Sequence, residues 1–468
     1  MRLMLLLLVF FFASQTMAAD TLPASVKQAL QAENVPLESV SVYVKRVDAT
    51  QPSLSFQADT PRNPASVMKL VTAYAALDLL GPSYRWKTQF LALNKPEQGK
   101  LNGDLWVKGS GDPSISTQSL SEVASELRQK FNLEEICCGL SLDVSAYPAQ
   151  NFDAATFDGK PYRAYNAPAE ALMVNQQAMR LQFVAGEKVQ VIAYPDWRGL
   201  VKKVDVKAVA GECNDWKSGL QINREGQTLH IRGSYPTTCG DKYLDVNWQH
   251  GADYFANVFY GAWEQAGGRW AKSDSPQFKL AAIPSSAVLL TEHTSPTLAE
   301  VVRDMNKTSN NVIARALYLN LSYLEEANQP ASTLKSEQVV KRWLQSKRWS
   351  FDELVLENGA GLSRQERISA GHLGLLLDDA FHSPVMPELT ASLPIYGLDG
   401  SLTRRKESLL FGRAHLKTGS LEGVRAIAGY LLDAKGRYWS VVFMANGAKA
   451  GDTKSAQDAL LTWVYQQE

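Results

Sequence analysis

The chain has 468 residues, and its 48 Lys and Arg are matched by 48 Asp and Glu, so it carries no formal net charge. That balance excludes a dedicated nucleic-acid binder, which needs a clustered basic excess to displace phosphate counterions. With 45% hydrophobic and 21% charged residues it reads as an ordinary globular chain, long enough for about two to four domains.

At the start, Met1-Arg2 precedes the apolar run Leu3 to Phe12, and small residues Thr16 and Ala18 stand where a signal peptidase reads. Residues 1–19 are therefore expected to be a secretory signal peptide, with export to the periplasm and a mature start near Ala19 or Asp20. An uncleaved anchor is disfavoured by polar Ser14, Gln15 and Asp20. No later stretch has the long uncharged run of a membrane helix, so no integral membrane anchor is expected in the mature protein.

Strand patterns follow at 39–48 and 53–59, and a helical block at 64–80. From about 85 the texture changes to short strands and turns, including 104–108, 179–184, 188–193 and 228–233. Helical blocks return at 296–307, 310–326 and 369–381, then strands at 413–417, 424–433 and 438–446, then a helix at 453–466. Strands from both chain ends plausibly form one antiparallel sheet, which makes the body discontinuous. The expected fold class is α+β, with 20–84 and 285–468 forming one domain and 85–284 a mostly β insertion of one or two subdomains.

Four cysteines meet the oxidising compartment expected after export, and they allow three complete pairings. Cys213 and Cys239 flank two strand-like runs around a turn at 223–226, an excursion that returns the second thiol to the first, so that disulfide is expected. Adjacent Cys137 and Cys138 either form a strained vicinal bond or one of them is simply buried. No CxxC pair and no HxxxH occurs, so neither a metal site nor a cofactor is expected.

The informative local stretch is Asn63-Pro64-Ala65-Ser66-Val67-Met68-Lys69. Asn63 suits an N-cap and Pro64 the first helical position, which puts Ser66 and Lys69 in the opening turn of a helix, on one face. A lysine three residues from a serine is placed to act as its base, provided burial and a second cation depress its pKa. The same spacing recurs at Ser332 and Lys335, where it reads as surface coincidence. Two further elements follow in order. Ser309 and Asn311 project from a break between helices, suited to proton relay and to bonding a substrate amide. Lys417, Thr418, Gly419 and Ser420 lie on a strand, where the first two suit a carboxylate and Gly419 permits close approach. Lys217-Ser218-Gly219 comes too early in the chain to serve, and His415, on the same strand face as Lys417, reads as a packing residue.

Through SxxK (Ser66, Lys69), SxN (Ser309, Asn311) and KTG (Lys417, Thr418, Gly419) the sequence resembles the active-site serine penicillin-recognising enzymes. The separation of the first two motifs is far too long for a compact β-lactamase. It is similar to that of the class C low-molecular-mass penicillin-binding proteins, the D-alanyl-D-alanine carboxypeptidase/endopeptidases of the penicillin-binding protein 4 type. Gly103-Asp104-Leu105 with Gly109-Ser110-Gly111-Asp112-Pro113, Asn358-Gly359-Ala360-Gly361-Leu362-Ser363-Arg364 and Gly397-Leu398-Asp399-Gly400-Ser401-Leu402 resemble further family segments.

The resemblance implies a penicillin-recognising domain, β-lactamase/transpeptidase-like, with a five-stranded antiparallel sheet flanked by helices. It also implies acyl transfer on peptidoglycan peptides at Ser66, with Lys69 as base, Ser309 passing a proton and Lys417 supplying positive potential. The backbone N–H groups of Ser66 and Ser420 then form the oxyanion hole, and β-lactams acylate the same serine. Family members that cut diaminopimelate cross-links hold that residue with an acid and an arginine, which by position match Asp158 and Arg364; Glu422, close to the KTG strand, adds a carboxylate that repels a substrate carboxylate. A β-lactamase and a catalytically silent wall-binding scaffold are the alternative readings, and the sequence is silent on oligomeric state.

Overall fold

The computed structural model describes residues 19–148, 152–197, 199–271, 277–325 and 329–467. The expected leader, apart from Ala19, lies outside the described residues; Ala19 itself makes a parallel bridge to Leu54. Among the described residues no helix is long and apolar enough to cross a membrane.

The central sheet is antiparallel throughout, in the order Ala414–Leu421, Val424–Leu432, Tyr438–Asn446, Val40–Arg46, Leu54–Phe56. Both chain ends build it: Val42 stands opposite Phe443 across the junction. Successive side chains of a strand point to opposite faces, and here both faces are covered. Ile427 and Leu431 pack with Val40, Val42 and Phe443 beneath the helices Ala24–Ala32 and Lys454–Tyr465. On the other face Ala426, Ala428 and Tyr430 join a larger core with the helices Lys69–Leu80, Leu298–Thr308, Asn311–Glu325 and Ala370–His382. A strand buried on both sides reads as a continuous apolar run, which is why 424–433 was legible. Lys69–Leu80 is buried from Lys69 through Leu77, and Asn311–Glu325 from Asn311 through Tyr323. Neither is an amphipathic surface helix; both are central struts.

Between the Lys87–Ala92 and Val288–Thr294 strands the chain builds separate sheets. One is mixed, in the order Phe278–Leu280, Leu140–Asp143, Leu105–Lys108, Lys87–Ala92, Val288–Thr294, and among the described residues three smaller sheets have three strands each. The insertion is mostly β, with an addition to the sequence reading: two 15-residue helices, Thr117–Phe131 and Gly251–Gln265, belong to its core. Ser116 caps the first with a capping box, and Leu120, Val123, Ala124 and Leu127 form its buried stripe. Leu220–Glu225 pairs antiparallel with Thr228–Pro236. The reversal therefore falls at Gly226 and Gln227, later than the expected 223–226, because Asn223 and Arg224 are already in the ladder. Cys213 and Cys239 are bonded across this excursion, whereas Cys137 and Cys138 are half-buried and carry no bond between them.

Candidate active site

Around Ser66 the backbone departs from the expected α-helical turn. The segment after Pro64 is a 3-10 turn, Ala65–Met68, and the α-helix begins only at Lys69. Asn63 is not its N-cap. Its Oδ1 accepts from the Ala65 N–H (2.9 Å) and its Nδ2 donates to the Ser363 carbonyl (2.8 Å), while Asn446 on the central sheet holds its backbone from both sides. The 3-10 turn favours the pairing, because side chains three apart eclipse in it. Lys69 Nζ lies 3.0 Å from Ser66 Oγ. Ala65, immediately before the serine, is fully buried at φ +47°, a left-handed conformation that an L-residue holds only when its surroundings enforce it. Two neighbours do so. A Cβ on Gly419 would lie 2.4 Å from the Pro64 carbonyl oxygen, and one on Gly361 only 1.9 Å from that of Ala65.

Lys69 is fully buried and also donates to Asn311 Oδ1 (2.7 Å) and to the Ala360 carbonyl. Burial holds its pKa well below the ordinary lysine value, helped by the Lys417 and Arg315 charges and opposed by Glu366. Lys417 is equally buried, and burial lowers it to about 7. Its Nζ donates to Ser309 Oγ (2.9 Å) and to the Thr418 carbonyl (2.8 Å). Ser309 ends the Leu298–Thr308 helix in the left-handed conformation, φ +58°, and Asn311 opens the next helix, so the tight break aims both at the lysines. Thr418 Oγ1 is 2.7 Å from Ser401 Oγ, and Arg425, opposite Ser420 in the ladder, donates to its hydroxyl (2.6 Å).

Asp158 and Arg364 are each engaged by their own neighbours. Asp158 accepts from the Tyr165 hydroxyl (2.7 Å), Asn166 Nδ2 (2.8 Å) and the Lys160 N–H (3.0 Å). Asn311 Nδ2 in turn donates to the Tyr165 carbonyl (3.1 Å), which joins that loop to the lysine cluster. Arg364 lies over the Phe157 ring (5.0 Å), donates to the Glu422 carbonyl (2.9 Å) and is 3.7 Å from the Glu422 carboxylate. Elsewhere, Ser332 caps the Thr333–Ser346 helix by accepting from the Lys335 N–H, and His415 Nδ1 faces the Thr390 carbonyl. Among the described residues no three His, Cys, Asp or Glu side chains converge as a metal set. A cavity of about 680 Å³ is lined in part by Arg315, Tyr318 and Asn358; neither Ser66 nor Lys69 lines it.

Sequence reasoning missed Arg315 and Glu366, both buried and both acting on Lys69. A signal existed for the first: Arg315 is the one charge within the otherwise uncharged run Val312 to Tyr323.

The model of the D-Ala-D-Ala carboxypeptidase 3 (S13) family matches residues 22–467. The chain belongs to that family. D-alanyl-D-alanine carboxypeptidase DacB of Haemophilus influenzae is 24% identical over 424 residues, covering 89% of this chain and 87% of that protein. The D-alanyl-D-alanine carboxypeptidase of Actinomadura sp. strain R39 is 28% identical over 419 residues, covering 85% and 76%. The crystal structure of penicillin binding protein 4 (dacB) from Haemophilus influenzae superposes with a TM-score of 0.78 at 23% identity, covering 94% of this chain and 99% of that one. The fold is therefore the penicillin-recognising one, with the additional sheets as insertions, and the family's activity makes the chain a hydrolase acting on D-Ala-D-Ala.

Proposed function

We propose that the chain is an exported serine D-Ala-D-Ala carboxypeptidase and cross-link endopeptidase that works through a Ser66 acyl-enzyme on peptidoglycan stem peptides. We take residues 20–84 and 285–468 as its catalytic body, 85–284 as the insertion and 1–19 as the signal peptide that takes it to the periplasm. One observation carries the reading: the fully buried amine of Lys69 is held between Ser66 Oγ, Asn311 Oδ1 and the Ala360 carbonyl.

A neutral amine has two N–H groups and one lone pair. Asn311 Oδ1 and the Ala360 carbonyl are acceptors only; they take both N–H groups and leave the lone pair for the Ser66 hydroxyl proton. Burial and the neighbouring cations favour that neutral form. Ser66 Oγ then attacks the carbonyl carbon of the D-alanine before the scissile bond, and its proton passes to Lys69. The backbone N–H groups of Ser66 and Ser420 receive the developing oxyanion, a contribution of about 3 kcal/mol per donor. Because Lys417 donates to Ser309 Oγ, the Ser309 O–H is free to face the leaving nitrogen. The C–N bond breaks as that nitrogen gains a proton, which Ser309 supplies and the lysines replace. The D-alanine or the cross-linked strand leaves, and an ester remains on Ser66. Water attacks the ester, Lys69 takes its proton, and the Ser66 hydroxyl is regenerated. β-Lactams enter by the same first step, in keeping with the solved relative being a penicillin binding protein. Asp158 and Arg364 are assigned to the substrate's diaminopimelate end.

Fluorescent penicillin tests the reading. Wild type is tagged covalently and Ser66→Ala is not; a tag that survives Ser66→Ala refutes the nucleophile. Mass analysis of products from monomeric and cross-linked muropeptides separates the two activities, and N-terminal sequencing of the secreted protein checks the cleavage site.

A further inference from the structure

Glu366 is a buried ionisable group that the steps above leave unused. It is fully buried, and one carboxylate oxygen, Oε1, accepts three consecutive backbone N–H groups, from Glu357 (3.1 Å), Asn358 (3.0 Å) and Gly359 (3.2 Å). Its Oε2 is buried with no partner among the described residues. Ser363 Oγ accepts the Glu366 N–H (3.0 Å), so the residue's own backbone is held as well.

The backbone it gathers is the one that touches the site. Gly359 carbonyl accepts from Thr72 Oγ1 (2.7 Å), Ala360 carbonyl accepts from Lys69 Nζ, and Gly361 packs directly on the Ala65 carbonyl ahead of Ser66. One side chain thus fixes a short loop that grips both the lysine amine and the peptide before the serine. Such a gathering of donors suits a carboxylate, whose oxygens are acceptors only when ionised.

The charges around Lys69 come from three elements. Lys417 approaches from the Ala414–Leu421 strand, Arg315 from the Asn311–Glu325 helix, and Glu366 from the loop, while Glu357 acts on Arg315. The two cations favour deprotonation of Lys69, and Glu366 opposes them. Burial raises the Glu366 carboxyl above its ordinary value, against the three backbone donors and Lys69. Arg315 Nε, like Glu366 Oε2, is buried without a partner among the described residues, and Arg315 Nη1 donates to the Ala167 carbonyl.

We propose that Glu366 is the positioning residue of this site: its carboxylate ties the 357–360 backbone beneath the Lys69 amine and balances the Lys417 and Arg315 charges there. The proposal deepens the reading in which Lys69 is the base for Ser66 and rests on it.

Single-turnover acylation by labelled penicillin, followed between about pH 5 and pH 9, tests it on the full chain. Glu366→Gln keeps an amide oxygen for the three N–H groups and removes the charge. Its acid limb is expected to move to lower pH by about one unit, since a carboxylate that held the proton on Lys69 is gone. Glu366→Ala removes the acceptor, and its acylation plateau is expected to fall about 10²-fold as the loop loses register. An unmoved limb in Glu366→Gln, or a full plateau in Glu366→Ala, overturns the proposal. Should Glu366→Ala not fold, the Glu366→Gln limb still decides, because a residue that only stabilised the loop would leave that limb in place. Tagging of Ser66→Ala would instead identify the nucleophile assignment as the error, so the two failures are distinguishable.

Discussion

Replacing Gly361 with alanine asks the backbone for two things it resists. The residue sits at φ +76°, where a Cβ costs roughly 1–2 kcal/mol against the carbonyl that follows. That Cβ would also lie 1.9 Å from the Ala65 oxygen, 2.3 Å from its carbon and 2.8 Å from the Ser66 nitrogen. Carbon contacts relax at about 3.5–4.0 Å, so the two segments must part by an amount on the order of 1.5 Å. Ala65 has little room to give, being fully buried in the left-handed region itself. Overpacking of this kind costs about 1–3 kcal/mol, and with the backbone penalty the total is about 2–5 kcal/mol of stability. Displacing Ser66 by that distance is expected to slow acylation about 10²-fold. Gly436→Ala is the control: it has a similar φ, +78°, but nothing stands within 4 Å of its Cβ. It is expected to cost only the backbone penalty, roughly 1–2 kcal/mol, with acylation unchanged. Urea midpoints give the stability and stopped-flow binding of a fluorescent penicillin gives the rate. Gly361→Ala acylating at the wild-type rate would refute the claim that this contact sets the position of Ser66.

Four further outcomes are expected. Lys69→Ala abolishes acylation with the fold intact by circular dichroism; undiminished tagging would show that another group is the base. Burial lowers Lys417 to about 7, whereas the unfolded chain keeps that proton to about pH 10.4. The unfolded state therefore binds more protons across this window, and stability rises with pH between the two values. Denaturation midpoints of Lys417→Met minus wild type, measured across that window, should reveal the loss of the rise; parallel curves would mean that Lys417 is not depressed. In the same variant, removing a cation that lowers Lys69 shifts any residual acylation to higher pH. Changing Cys213 and Cys239 to serine removes a crosslink spanning 26 residues, which costs about 3 kcal/mol by chain entropy. Acylation at low denaturant should stay at the wild-type rate, and a large fall would tie the disulfide to the site.

Much of the site was legible because it depends on spacing along the chain. Ser66 and Lys69 are three apart in a helical turn, Ser309 and Asn311 flank a break between helices, and Lys417 sits in a strand, so each element is local. The turn type was not legible: Asn63 and Pro64 look the same before a 3-10 turn as before an α-helix, and it is the contacts of Gly361 and Gly419 with this segment that decide. The Thr117–Phe131 helix was open to reading from its Leu120, Val123, Ala124 and Leu127 stripe, but short strands on either side masked it. Asp158 and Arg364 show the limit of reading by position, since their partners, Tyr165, Asn166, Phe157 and Glu422, are known only from the fold.

By itself, then, the order of residues determined the family, the discontinuous sheet and the identity of the three motifs. Tertiary structure alone decided the surroundings that hold the Lys69 pKa well below its ordinary value. Arg315, Glu366 and Lys417 come from a helix, a loop and a strand far from it in the chain, and the free energy of a proton there depends on how completely those groups exclude water and how closely their charges face one another. Burial and through-space charge have no one-dimensional signature.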